Sequence, residues 1–203
     1  MKLYRSSGFT LIELILVVAI IALLAAIMMP VIAAARLRAR VAKTVQLADT
    51  LKHACIMYNS DTGSYAREDA GSPGPANRGL TIDYGISGWD GPYIEKELTY
   101  TNKDAGIGYM GPGPSHTPLG GIRNQLWGYD LDGDGSLDKP VNSDGNELIL
   151  EWAWENEAKA LNDCLDKDIP GDWRVTGRVR FALLGGGWPA GLGTISVYLI
   201  GGS

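Results

Sequence analysis

Basic residues, histidine and cysteine are all scarce in this 203-residue chain, and each shortage removes a class of function. The 18 Lys plus Arg face 23 Asp plus Glu, so the broad cationic surface of a generic nucleic-acid binder is missing and no specific nucleic acid is expected. Four cations do cluster, at Arg36, Arg38, Arg40 and Lys43, but without interleaved aromatics. They read as a solvated or lipid-headgroup face, with contacts to acids of neighbouring subunits as the next reading. The two histidines lie apart, His53 in a helical stretch and His116 in a proline-rich loop, and no nucleophile, base and orienting group form a set. Gly106, Gly108 and Gly111 spell G-x-G-x-x-G, yet Pro112 and Pro114 stand where a phosphate-binding helix should begin. An enzyme is not expected. No internal repeat is evident.

Charge is absent from residues 14–35, which are Leu, Ile, Val, Ala, Met and the single Pro30. At ~1.5 Å per residue this run is long enough to cross a ~30 Å hydrocarbon core. Glu13 sits at its edge, where an ionisable side chain costs a few kcal/mol unless it finds a partner. An ordinary secretory signal, with Lys2 and Arg5 as its charged region and Ala33, Ala34 and Ala35 as its cleavage site, accounts for part of this pattern. The apolar run is too long for that reading, carries Glu13, and flows without a turn into further helical sequence. A plain membrane anchor or a buried helix of a soluble protein would also give a long apolar run.

Gly8, Phe9, Thr10, Leu11, Ile12 and Glu13, following a short basic leader, resemble the class III signal of type IV pilins and type II secretion pseudopilins. The resemblance implies a prepilin peptidase that cuts after Gly8 and methylates the new amino terminus at Phe9. It also implies a precursor in the inner membrane with its leader cytoplasmic, an inner-membrane assembly machinery, and a mature homo-oligomeric helical filament that is extracellular or periplasmic. Pro30 falls where the family carries a helix-kinking proline. In a low-dielectric layer the Phe9 amine and the Glu13 carboxylate attract strongly, and the resemblance implies that they pair between subunits, drawing a new subunit into register. Pro30, lacking an amide hydrogen, is expected to kink or locally melt the helix around residues 26–30. Removing residues 1–8 takes away Lys2 and Arg5, leaving 16 basic residues against 23 acids and a net charge of −7.

Past the apolar run, Leu37, Val41, Val45, Ala48, Leu51, Cys55 and Tyr58 recur at steps of three or four, the pattern of an amphipathic helix. Asn59, Ser60, Asp61, Thr62 and Gly63 supply turn chemistry to end it. The chain therefore divides into a leader at 1–8, a transmembrane and filament-core helix at 9–35, its amphipathic continuation at 36–58, and a head at 59–203 with glycine-rich loops. Within the head, residues 175–184 and 194–200 are rich in β-branched and aromatic residues and read as paired antiparallel strands. Residues 147–166 read as an amphipathic helix, with Asp144 and Glu147 at capping-box spacing and Trp152 and Trp154 leaving strand character open at its start. The expected fold class is α+β, a long N-terminal helix packed on a small antiparallel sheet, which the resemblance implies is the type IV pilin fold.

Asp130, Asp132, Asp134, Ser136 and Asp138 alternate with glycine at Gly135, filling positions one, three, five, seven and nine of an EF-hand-type loop. Structural Ca2+ is the expected cofactor, a merely solvated acidic turn being the alternative. Val141 occupies the twelfth place, so Asp144, Glu147 or water would have to close the shell. Trp89, Gly91, Pro92 and Tyr93 resemble the W-x-G-P-Y turn of major pseudopilins, some of which carry a calcium loop. Cys55 and Cys164, an even count in an exported chain, make a head-to-helix disulfide plausible, two free thiols being the alternative. Three functions stay in play: a structural subunit of a type IV pilus, a pseudopilin of type II secretion, and a monomeric membrane-anchored periplasmic binding protein.

Overall fold

The computed structural model describes residues 9–69, 78–96, 98, 106, 121–124, 128–140, 143–184 and 189–201. A 52-residue helix, α1 (Leu11–Thr62), opens the chain. By contacts the chain divides into two units, Met1–Arg38 and Ala39–Ser203.

In the first unit every side chain from residue 9 to residue 36 is exposed, including Phe9, Leu11, Met29 and Val31. Apolar surface of this extent is unstable in water, because each exposed Leu or Ile forgoes about 1.5–3 kcal/mol of burial. The helix is long and apolar enough to cross a membrane. Helical backbone runs unbroken through residues 26–30, so the local melting expected at Pro30 does not occur.

In the second unit α1 turns amphipathic and buries Val41, Thr44, Ala48, Leu51, Ala54, Cys55 and Tyr58. Thr44 is admitted to this stripe because its hydroxyl donates to the Arg40 carbonyl within the helix. The helix ends one turn beyond Tyr58. Gly63, at φ +69°, donates its N–H to the Asn59 carbonyl, a left-handed stop that a side-chain-bearing residue resists.

The rest of the head is a sheet of β1 (Glu68–Asp69), β2 (Gly121–Asn124), β3 (Gly145–Trp154), β4 (Val179–Leu183) and β5 (Leu192–Gly201), with α2 (Glu155–Leu165) between β3 and β4. The strands are ordered β1-β2-β3-β5-β4 and every neighbouring pair is antiparallel. The strands expected near the C-terminus are β4 and β5, in register from Val179 against Val197 to Leu183 against Gly193. Leu148, Leu150, Val179, Ile195 and Val197 form the centre of the core, and α2 packs on β3, β4 and β5. This is the α+β pilin arrangement of a long N-terminal helix on an antiparallel sheet.

Residues 147–154 are strand, not the start of a helix. Residues 145–150 are all buried, so β3 is covered on both faces and shows no polar alternation from which a strand could be read. α2 begins only at Glu155, where the Glu157 carboxylate accepts the Trp154 N–H at 3.0 Å. The capping role expected of Glu147 thus belongs to Glu157. Between Leu150 and Ala153 the register slips, and Trp152 adopts φ 58° in this bulge. The outer edge of β4 is covered: Val179 donates to Asp166 and Phe181 to the Arg174 carbonyl, which removes a template for strand addition.

Candidate functional site

At the start of α1, Thr10 and Glu13 form a reciprocal cap. The Glu13 carboxylate accepts the Thr10 N–H and hydroxyl, each at 2.8 Å, while the Thr10 oxygen accepts the Glu13 N–H at 3.3 Å. Thr-x-x-Glu ahead of an apolar run is the capping-box signature, a signal present in the sequence that the reading of Glu13 as a pairing charge passes over. The cap shares the Glu13 carboxylate between a local structural duty and any charge pairing. Gly8, the expected cleavage site, lies outside the described residues. Phe9 is exposed immediately before the cap, and Pro30 lies on the exposed part of α1.

In the acidic loop, one carboxylate oxygen each from Asp130, Asp132 and Asp138 lie within 4.8 Å of one another. Backbone donors set this arrangement. Gly133 and Gly135 donate to the two oxygens of Asp130, and Leu131 donates to Asp138. Both glycines have positive φ, and a Cβ on Gly133 would lie 2.3 Å from the Pro170 carbonyl oxygen. The loop is therefore wound tightly against the segment after α2, where Gly177 donates to the Asp130 carbonyl. Asp134 stands outside the trio; its carboxylate accepts the Ser136 N–H instead. The trio presents hard oxygen donors with unused lone pairs, a donor set that fits Ca2+. Glu147 does not join it. Its carboxylate is buried, accepting the Tyr129 hydroxyl at 2.8 Å and the Ser196 hydroxyl at 3.0 Å. Val141 lies outside the described residues.

The Trp-x-Gly-Pro-Tyr turn locks onto the C-terminal end of α1. Tyr93 donates its hydroxyl to Asp61, meets the Tyr58 ring edge-on at 5.6 Å, and donates its N–H to Leu80. Trp89 donates to the Gly79 carbonyl, and a Cβ at Gly91 would strike both the Trp89 and Tyr93 rings. Glycine is required there by close approach. Of the G-x-G-x-x-G residues, Gly106 touches the Arg40 carbonyl and Thr44 of α1, a helix-packing role, while Gly108, Gly111 and His116 lie outside the described residues.

Cys55 and Cys164 are free thiols in the structure, the second of the two readings left open for them. Cys55 is wholly enclosed in the α1 stripe, whereas Cys164 faces solvent on α2, so the two do not share an environment. Burial, reinforced by the charge of Glu68, pushes the Cys55 thiol up to about 12. Glu68 itself is buried, its carboxylate accepting the Leu80 N–H and the Thr81 hydroxyl. Desolvation nevertheless raises its pKa. Asp166 is raised for the same reason, against N–H donation from Val179 and Arg178. None of these buried acids stands out in the sequence, because nothing local distinguishes them from solvated ones. Arg40 reaches Glu157 at 2.5 Å and Arg174 pairs with Glu155, clamping both sides of the start of α2.

A capped, exposed apolar helix with one acid at its start, carried by an α+β head, defines a pilin-like protein. The family model of the Prokaryotic N-terminal methylation motif matches residues 3–29. The chain is 47% identical over 67 residues to the Type IV wide pilus major component PilA4 of Thermus thermophilus, covering 32% of this chain and 50% of that protein. It thus spans about half the length of this curated relative. No solved structure matches significantly. Residues 3–29 thus carry the methylation motif that the resemblance to type IV pilins leads one to expect.

Proposed function

We propose that the chain is the structural subunit of a type IV pilus-like filament, without enzymatic activity. It is held in the inner membrane by α1, cut after Gly8 by a prepilin peptidase, methylated on Phe9, and passed by an inner-membrane assembly machinery into a homo-oligomeric filament. The observation that carries this reading is the exposed apolar surface of residues 9–35, headed by Glu13 and matched by the methylation motif. Lipid covers that surface before assembly, and helices of other copies cover it afterwards. Glu13 then pairs with the Phe9 amine of a neighbour. The relative from Thermus thermophilus is a major pilus component, which supports the pilus over other filaments.

A pseudopilin of type II secretion is the second reading, favoured by the Trp89–Tyr93 ring packing and by the Asp130, Asp132 and Asp138 trio. In both readings the trio holds a structural Ca2+ that neutralises the loop and fixes it against the segment after α2. Mass spectrometry of the mature amino terminus, combined with electron microscopy of sheared surface material, tests the assignment. N-methylated Phe9 and long fibres are expected for a pilus, and the same terminus with short periplasmic fibres for a pseudopilin. An intact Met1, or cleavage after Ala35, overturns both.

A further inference from the structure

Where the apolar run of α1 ends, Met29, Pro30, Ile32, Ala33 and Arg36 line a shallow groove on the helix surface. Met29, Ile32, Ala33 and Arg36 stand at i, i+3, i+4 and i+7, so they share one face. That face is a strip of apolar side chains ending in a single guanidinium. Arg36 is exposed and has no ion-pair or hydrogen-bond partner among the described residues, whereas Arg40 one turn on is held by Glu157. The charge-free run of residues 14–35 covers about 30 Å at ~1.5 Å per residue, which puts Arg36 at headgroup depth.

We propose that this groove is a binding site for one anionic phospholipid, its acyl chain lying along Met29, Ile32 and Ala33 and its phosphodiester held by Arg36. The inference rests on the membrane-anchored reading given above. Two features single out a phospholipid. The strip runs from apolar to cationic over roughly 10 Å along the axis, the same order in which a lipid presents chain and phosphate. A guanidinium also matches two phosphate oxygens with parallel N–H donors and is weakly hydrated, so it binds phosphate at low desolvation cost. A carboxylate from the apolar part of a second copy is a poorer occupant. Glu13 is the sole acid between residues 9 and 38, and a parallel copy would have to slip by about 34 Å to bring it to Arg36. Arg38 lies about 200° around the helix from Arg36 and does not serve the groove.

The test uses the full-length chain reconstituted in nanodiscs of phosphatidylcholine and phosphatidylglycerol at three to one. Lipids retained by the protein are counted by native mass spectrometry, and insertion is checked by oriented circular dichroism. The wild type is expected to retain phosphatidylglycerol above its bulk fraction, and Arg36→Gln to cut that enrichment about fivefold, the effect of one arginine at an anionic surface. Arg38→Gln should leave it unchanged. Equal retention by wild type and Arg36→Gln overturns the proposal, as does an equal loss from both variants, which marks diffuse screening without a groove. Enrichment that inorganic phosphate abolishes at millimolar concentration, with no loss of bound neutral lipid, also overturns it by showing an anion site in place of a lipid site. A chain that does not insert at all sinks the membrane-anchored reading itself, so the two failures are distinguishable.

Discussion

The carboxylate of Glu13 accepts two hydrogen bonds from Thr10, from its N–H and from its hydroxyl, both at 2.8 Å. One acid therefore serves the helix that carries it before it meets any neighbour. The two duties separate by substitution. Glu13→Gln keeps a side-chain oxygen for the cap but removes the charge, and Glu13→Ala removes both. Thr10→Ala keeps the charge and loses the capping hydroxyl, at a cost of about 1 kcal/mol. Filament yield, measured by pelleting sheared fibres, is expected to fall more than tenfold in both Glu13 variants and by no more than about fivefold in Thr10→Ala, the factors following from several against ~1 kcal/mol. Wild-type yield from Glu13→Gln would confine Glu13 to capping.

The cysteines give a second prediction. Cys55 is enclosed and its thiol is held protonated by burial, while Cys164 is exposed. Thiolate is the reactive form, so iodoacetamide at about pH 8 should label Cys164 alone in the folded chain. In denaturant without reductant both should react. Labelling of neither in denaturant would show that the chain joins them.

Glu68 predicts the pH dependence of the head. Burial raises its folded-state pKa above the ordinary ~4.3, so the folded state binds this proton more tightly than the unfolded chain does. Its contribution to stability is fully present below about pH 4.3 and is lost as pH climbs through the raised folded value. Asp166 acts in the same sense. In Glu68→Gln the buried group stays neutral. The melting temperature of wild type minus that of the variant should therefore decrease between about pH 4 and pH 7. A difference that is flat or rises with pH contradicts the assignment.

What the sequence made legible follows from how local each signal is. The helix period at Val41, Ala48, Leu51, Cys55 and Tyr58 was readable because one face of α1 is buried and the other is wet. The pairing of β4 with β5 was readable from β-branched runs on either side of a loop. β3 was hidden because a strand buried on both faces has no alternation, and its tryptophans are compatible with either structure. The acidic loop showed its spacing but not its membership: whether Asp134 joins Asp132 depends on which backbone N–H groups each carboxylate accepts, a matter of turn geometry. Glu147 is near the acidic loop in sequence, yet the fold spends it on Tyr129 and Ser196, which lie 18 and 49 residues away.

Calcium binding to the trio should raise the melting temperature of the head. A ligand at about one hundred times its dissociation constant stabilises by about 2.7 kcal/mol, or about 5–10 °C for a domain of this size. Differential scanning calorimetry of the detergent-solubilised chain in millimolar Ca2+ against EDTA measures it. Asp130→Asn should abolish the shift, and Asp134→Asn should preserve most of it, since Asp134 stands outside the trio. A shift lost equally in both variants would place Asp134 among the ligands.

Glu147 carries the last prediction because it lies beneath two buried hydroxyls that depend on it. Tyr129 and Ser196 approach each other at 2.5 Å and both meet the Glu147 carboxylate. Burial and the charge of Glu147 push the Tyr129 phenol well above its ordinary value, so it remains a donor at any physiological pH. Glu147→Ala leaves the two hydroxyls only each other, so one of them loses its acceptor, and it opens a cavity in β3, where residues 145–150 are all buried. An unsatisfied buried group costs about 1–3 kcal/mol, so a loss of about 3–5 kcal/mol is expected in urea denaturation. Tyr129→Phe removes one donor and leaves Ser196 to serve the carboxylate, so it should cost about 1–2 kcal/mol. If the Glu147→Ala loss is no larger than that of Tyr129→Phe, the carboxylate is not the hub of this network.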